Sequence, residues 1–332
     1  MAQQRVDRHG PQRPASVNRQ ERILAPLGDL SGTGIEIGAL HHPVVDRSMA
    51  DVLYVDHADT TALHAKYEGH TNVEDIVDVD VVWHDEPLVD ALKGRGPVDW
   101  VVASHVIEHV PDLVGWLDQL ADVLKDGGVV SLAIPDKRFC FDIRRRETDP
   151  ADVVGAWLAG STRPSPGTVF DFYARIESVD AAAAWAGEYD FQGVDDDAER
   201  GLEWARKAAA SDDYFDVHCW VFTPDSFLAT LRTLFRLGLT SFAVVEFCPT
   251  APGELEFFCA LERLPRESIP AERRERQLAS LAAAEATALV PAPADRTRGM
   301  LVSPREAKLI VLKRRTMAGV RALAGRVRPR RD

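Results

Sequence analysis

This 332-residue chain has no run near the roughly 18 consecutive apolar residues that a membrane-spanning helix requires. Its four cysteines, Cys140, Cys219, Cys248 and Cys259, stand far apart and form no C-x-x-C pair. That spacing speaks against a thiolate zinc site or a disulfide framework and predicts reduced thiols in a cytosolic protein. The polar, basic start of the chain lacks the apolar segment of a secretory signal. Positive charge is also short. Lys and Arg number 39 against 52 Asp and Glu, a formal net charge of −13, which argues against nucleic acid as a partner of the body of the protein. No internal repeat occurs, and the G-x-G-x-x-G fingerprint of dinucleotide-binding loops is absent.

What is present is uneven. The stretch 303–332 carries about +8 of charge, leaving roughly −21 on the rest. Residues 1–22, broken by Pro11 and Pro14, predict a disordered basic arm. From Ile23 onward short apolar runs alternate with helical patterns: strands over Thr33–Ala39, Asp51–His57, Glu74–Val82, Val98–Ser104 and Val129–Asp136, with a helix over Asp59–Tyr67. Another helix starts near Pro111, aligns Leu113, Trp116, Leu117, Leu120 and Leu124 on one face, and ends at Gly127-Gly128. Such alternation predicts an α/β fold with a doubly wound, mostly parallel sheet. The pattern breaks over 137–217, predicting a partly helical insertion above the active-site edge. It resumes with a helix capped by Thr223 and closed by Gly238, then a hairpin that sets one strand antiparallel. The domain is expected to span 23–265, followed by a helical, basic tail over 266–332 whose amphipathic end could dock on anionic lipid or a partner protein, or be simply disordered.

Ligands of such a sheet bind beyond the carboxyl ends of its strands. The first strand ends in Glu36 and Gly38, where a missing side chain lets backbone approach a ligand. The second ends at Asp56, placed to accept hydrogen bonds from ribose hydroxyls. The loop "ALHHPVVD" is a poor phosphate cradle, which favours an adenosine cofactor without phosphates over a nicotinamide dinucleotide. The stretch His105-Val-Ile-Glu108-His109 matches the H-x-x-E-H pattern of zinc proteases. That reading needs a continuous helix, and Pro111 together with the preceding buried strand opposes one. The stretch is therefore expected to form a strand-to-helix elbow beside a cofactor, with no metal.

The segments "GIEIGALHHP", "YVDH" and "DWVVASHVIEHVPDLVGWLDQLADVLKDGGVVSLAIPD" resemble the class I S-adenosylmethionine-dependent methyltransferases, over Ile23 to Arg263 outside most of the insertion. The stretches "IPDKRFCFD" and "DVHCWVFTP" look most like the bacterial branch that accompanies glycosyltransferases of cell-surface polysaccharide synthesis. The resemblance implies a seven-stranded Rossmann-like sheet with an antiparallel last strand and S-adenosylmethionine as cofactor. It places Glu36, Gly38, Ser104 and His105 at the methionine end, Asp56 at the ribose, and Asp80 or Asp85 near the adenine. It also implies a small-molecule or glycan acceptor methylated on oxygen and a glycosyltransferase as a potential partner, while the basic tail could hold the cytoplasmic protein at the inner face of the membrane. A non-catalytic scaffold for that partner is the alternative. Candidate general bases are His105, Asp136, Asp142 and His218, each with a plainer reading as pocket wall, turn cap, ion-pair partner or satisfied core histidine. Lys137, Arg138 and Arg144–Arg146 could grip an acidic acceptor or form a solvated charge run.

Overall fold

The computed structural model describes residues 18–288, apart from Asp85 and Gln192. In chain order the elements are α1 (Arg19–Leu24), β1 (Thr33–Ile37), β2 (Asp51–Asp56), α2 (Thr60–Lys66), β3 (Val81–Val82), α3 (Leu88–Ala91), β4 (Val98–Ser104), α4 (Leu113–Val123) and β5 (Leu124–Pro135). Then come α5 (Pro150–Ala159), α6 (Pro166–Arg175), α7 (Ala181–Ala186), α8 (Ala198–Ala210), α9 (Pro224–Leu237), β6 (Phe242–Cys248), β7 (Glu256–Arg263) and α10 (Pro270–Ala288). Among these helices none is long and apolar enough to cross a membrane.

The strands form one sheet in the order β3-β2-β1-β4-β5-β7-β6. Strands β1 to β5 are mutually parallel, and β7 runs antiparallel to both β5 and β6. This is the Rossmann-like, mostly parallel sheet with a reversed last strand. The winding changes direction between β1 and β4, so their carboxyl ends flank the crevice where such a sheet receives a ligand. Strand β4 is apolar along both faces because both are covered. Val101 and Ala103 enter one core cluster, with residues of α4, α9 and α10, while Trp100 and Val102 enter the other, with Ile23, Val44 and Val45.

Local chemistry sets the helix limits. Asp112 accepts the Gly115 amide at 2.9 Å and starts α4 two residues past Pro111. Thr223 caps α9, Pro224 takes its first position, and Gly238 closes it at φ +70°. Three expectations need correction. The helix expected to end at Gly127-Gly128 stops at Val123, and Leu124 already opens β5. Only Val81–Val82 of the strand expected over Glu74–Val82 pairs with β2; Val73–Asp75 form a 3-10 turn instead. Part of the arm expected over 1–22 is helical, since Arg19–Leu24 form α1. There Asn18 and Glu21 form a reciprocal capping box, Ile23 is fully buried and Arg22 pairs with Glu254, so α1 belongs to the domain. Residues 1–17 and the basic tail beyond Ala288 lie outside the described residues, as does any membrane or partner contact expected of them.

The insertion over 137–217 carries α5 to α8. Val169, Ala208 and Val217 form a small core of its own, and beside it Tyr173 stacks on Trp204 with ring centroids 4.4 Å apart. The chain leaves the sheet at Asp136 and returns at Phe222, and these two residues form an isolated parallel bridge.

Candidate active site at the carboxyl edge of the sheet

Register brings the expected residues to one edge. Ile37 pairs with Val55, so Gly38 and Asp56 face each other one step beyond. Gly38 has φ +69°, and its amide donates to the Val55 carbonyl at 2.9 Å. A Cβ there would lie 3.1 Å from Val106, within the turn that follows β4. Asp56 is buried, and its Oδ1 accepts the His57 amide at 2.7 Å and lies 2.6 Å from His57 Nδ1. Its Oδ2 makes no hydrogen bond among the described residues. Ser104 and His105 follow β4, with His105 at φ +56°. Residues 105–110 form a turn and not a helix, as an elbow requires.

Glu36 is near this edge but engaged elsewhere. Its oxygens accept the amides of Val44 and Val45 at 2.7 and 2.8 Å, which folds the loop after β1 back under the sheet end. Burial pushes its carboxyl up to about 7, against the opposing pull of those two amides. The unfolded chain releases this proton near the ordinary carboxylate value, so between about pH 4.5 and 7 the folded state binds the extra proton and stability falls as pH rises. The contribution is fully present below that window and is lost above it, by at most about 3 kcal/mol. Urea unfolding between pH 4.5 and 7.5 is expected to show this decline, and Glu36→Gln, which cannot titrate, to flatten it. An equal slope in the variant would assign the decline to other groups.

Several other candidate groups are held by protein partners. Asp80 Oδ2 receives the Tyr54 amide and Arg47, both at 2.8 Å, which ties it to the β2 edge. Asp85, its rival for the adenine, lies outside the described residues. Asp136 is fully buried and accepts Arg138 through Nε and Nη2, the Arg138 amide and the Thr250 hydroxyl, which withdraws it as a base. Asp142 is likewise buried between Arg145 (2.7 Å) and His218 Nδ1 (2.6 Å); these partners outweigh burial and hold its carboxyl below the usual range. The basic cluster forms neither an anion grip nor a solvated run. Arg138 binds Asp136, Arg144 binds Asp196, Arg145 is buried between Asp142 and Asp171, and Arg146 binds Asp152. Lys137 donates to the Ile143 carbonyl.

Two residues that sequence reasoning missed complete the edge. Glu256, at the start of the reversed strand β7, lies 2.7 Å from His105 Nε2 and also accepts Arg19 Nε at 2.6 Å. Burial would raise the Glu256 carboxyl, but the hydrogen bonds from His105 and Arg19 hold it low. Arg19 also donates to Ser104 Oγ at 2.6 Å, so α1 straps the ends of β4 and β7 together. Arg19 lies in the segment expected to be disordered. Glu256 adjoins Pro135 only because β7 is antiparallel, which its own sequence does not announce.

The other end of the elbow meets the returning insertion. The Glu108 carbonyl accepts the amides of Cys219 and Trp220 at 2.6 and 3.1 Å, and the Tyr214 hydroxyl donates to the His109 carbonyl at 2.7 Å. Asp216 lies 2.9 Å from His109 Nδ1 and pairs with Lys66 of α2. This brings His218 against His109, ring centroids 4.7 Å apart, although 109 positions separate them in the chain.

A doubly wound sheet with a bare glycine, an acid and a polar turn at its switch point defines a cofactor-binding domain of the Rossmann-like kind. The methyltransferase-domain family model matches residues 18–233, and the chain belongs to that family. Solved structures are similar only distantly. An S-adenosylmethionine-dependent methyltransferase from Mesorhizobium loti is 13% identical, aligned over 74% of this chain and 98% of that one, with a TM-score of 0.37. A SAM-dependent methyltransferase from Aquifex aeolicus is 10% identical over 74% and 90%, with a TM-score of 0.35. The chain spans half the length of the CurJ carbon methyltransferase, covering 50% of it with 72% of its own residues, at 11% identity and a TM-score of 0.32. Likeness at this level decides nothing further about the chain. No curated protein sequence matches it significantly.

Proposed function

We propose that this protein transfers the methyl group of S-adenosylmethionine to a hydroxyl of a carbohydrate or glycan-linked acceptor. The observation that carries the cofactor is the placement of Gly38 and Asp56 side by side, one step beyond the Ile37–Val55 pair that ends the β1–β2 register, in a chain of the methyltransferase family. Gly38 opens the backbone to the methionine end, and the unpaired Oδ2 of Asp56 accepts from the ribose hydroxyls. Ser104 and His105 border the sulfonium. Positioning supplies much of the rate in such an in-line displacement. His105 is the base: Glu256 fixes Nε2 and leaves Nδ1 to take the acceptor's proton. The acceptor class, and a glycosyltransferase partner, rest on the resemblance of "IPDKRFCFD" and "DVHCWVFTP". Both stretches flank the insertion, and their residues Asp142 and His218 meet beside the elbow.

Calorimetry with S-adenosylmethionine, S-adenosylhomocysteine and NAD tests the reading. Micromolar binding of the first two and none of NAD is expected. Asp56→Ala should weaken it by about 100-fold, the loss of two hydrogen bonds to a charged acceptor. Failure of the folded wild type to bind either sulfur compound would leave the non-catalytic scaffold as the better description.

A further inference from the structure

The Glu108 carboxylate is 1% exposed, and neither of its oxygens has a hydrogen-bond partner. Two imidazole nitrogens stand close by, His105 Nδ1 at 3.7 Å and His218 Nε2 at 3.9 Å, both from Oε1 and both beyond hydrogen-bond reach. Burying an ionised carboxylate without a partner costs several kcal/mol. The buried oxygens call for a cation.

The surroundings supply the other ligands. Glu108, His109 and His218 can each offer one ligating atom, all within 4.8 Å of one another. Coordination at about 2.0–2.2 Å draws such atoms closer than that, a movement within the reach of side-chain rotation. His218 is already oriented as metal-bound histidines are. Its Nδ1 is fixed by Asp142, itself held by Arg145, which turns Nε2 toward Glu108. Neighbouring residues 108 and 109 can converge because the segment is a turn; on a helix they would point about 100° apart. The H-x-x-E-H motif thus misplaces the ligands: Glu256 engages His105, and the distant His218 stands in its place.

We propose that Glu108, His109 and His218 bind one divalent first-row transition-metal ion at the end of β4. Two imidazoles and a carboxylate suit Zn²⁺, Mn²⁺, Fe²⁺ or Co²⁺ and leave coordination positions open. The role of those open positions rests on the methyltransferase reading; the site itself does not. In that role they take an oxygen of the acceptor, and the ion lowers the pKa of its hydroxyl. The proton passes to His105. The oxygen then bonds to the methyl carbon while the S–C bond breaks, and its electron pair stays on sulfur as a neutral thioether.

Full-length protein stripped with a chelator is titrated with Co²⁺ by visible absorption and with Zn²⁺ and Mn²⁺ by calorimetry. S-adenosylhomocysteine binding is measured on the same samples. One ion per chain is expected, with ligand-field bands unlike those of aqueous Co²⁺. Glu108→Gln and His218→Gln should bind about 100-fold more weakly or worse, and Asp142→Asn about 10- to 100-fold more weakly. Wild-type protein that binds no ion, or undiminished binding in folded Glu108→Gln, overturns the site. Should the ligand variants fail to fold, Asp142→Asn and the wild-type Co²⁺ spectrum decide, an aqueous-like spectrum overturning the proposal. Metal bound without the cofactor product sinks the methyltransferase reading alone; cofactor product bound without metal sinks this site alone.

Discussion

Gly34→Val is expected to destabilise the domain by at least about 3 kcal/mol, a large part of the roughly 5–15 kcal/mol that holds such a domain folded. Gly34 pairs with Trp100 across β1 and β4, and a Cβ built on it would lie 2.1 Å from the indole ring. Trp100 is 2% exposed, set in the core beneath α1, so the ring has nowhere to go without opening that face of the sheet. Urea unfolding of wild type and variant measures the loss. The double variant Gly34→Ala/Trp100→Leu is expected to be more stable than the sum of its single changes predicts, because the smaller side chain frees the space. Simple additivity would show that the two residues do not compete for it.

Arg145→Met is expected to cost about 3–5 kcal/mol, the usual consequence of removing one partner from a buried ion pair. Arg145 is 3% exposed and binds Asp142 at 2.7 Å, Asp171 at 2.8 Å and the His218 carbonyl at 2.9 Å. Its loss leaves the buried Asp142 carboxylate with His218 but without its guanidinium, and loosens the insertion where it returns beside the elbow. Adding Asp142→Asn to the variant should restore part of the stability by removing the uncompensated charge. A loss under about 1 kcal/mol in the single variant would mean that this pair behaves like a solvent-exposed one.

Much of the sheet was legible because its signals are local. Val98–Ser104 has the bounds read from its apolar run, and α9 has the cap, first-turn proline and terminal glycine that its sequence announces. The edge holding Gly38, Asp56, Ser104 and His105 followed from the rule that ligands meet strand ends. Failures came where meaning depends on partners far along the chain. "NRQE" carries a capping box, but its polar surroundings hid a helix whose worth lies in Ile23 and in the reach of Arg19 to Glu256. Asp136 stood among the candidate bases and Glu36 among the cofactor contacts, and only the fold shows their oxygens engaged by Arg138 and by the amides of Val44 and Val45. The steric demand at Gly34 is invisible until β1 and β4 are known to be neighbours.

The bridge between Asp136 and Phe222 means that the insertion departs from the sheet and rejoins it at a single doorway. Lengthening or shortening the chain between them changes loop-closure entropy only slowly, by about 0.6 kcal/mol per doubling, and moves no strand. Packing, not chain length, ties the scaffold to the insertion, since Val153 and Trp220 enter the main core beside α4 and α9. A replacement module is free to vary in length between these two positions as long as it keeps the side chains that enter the core and the bridge that closes it.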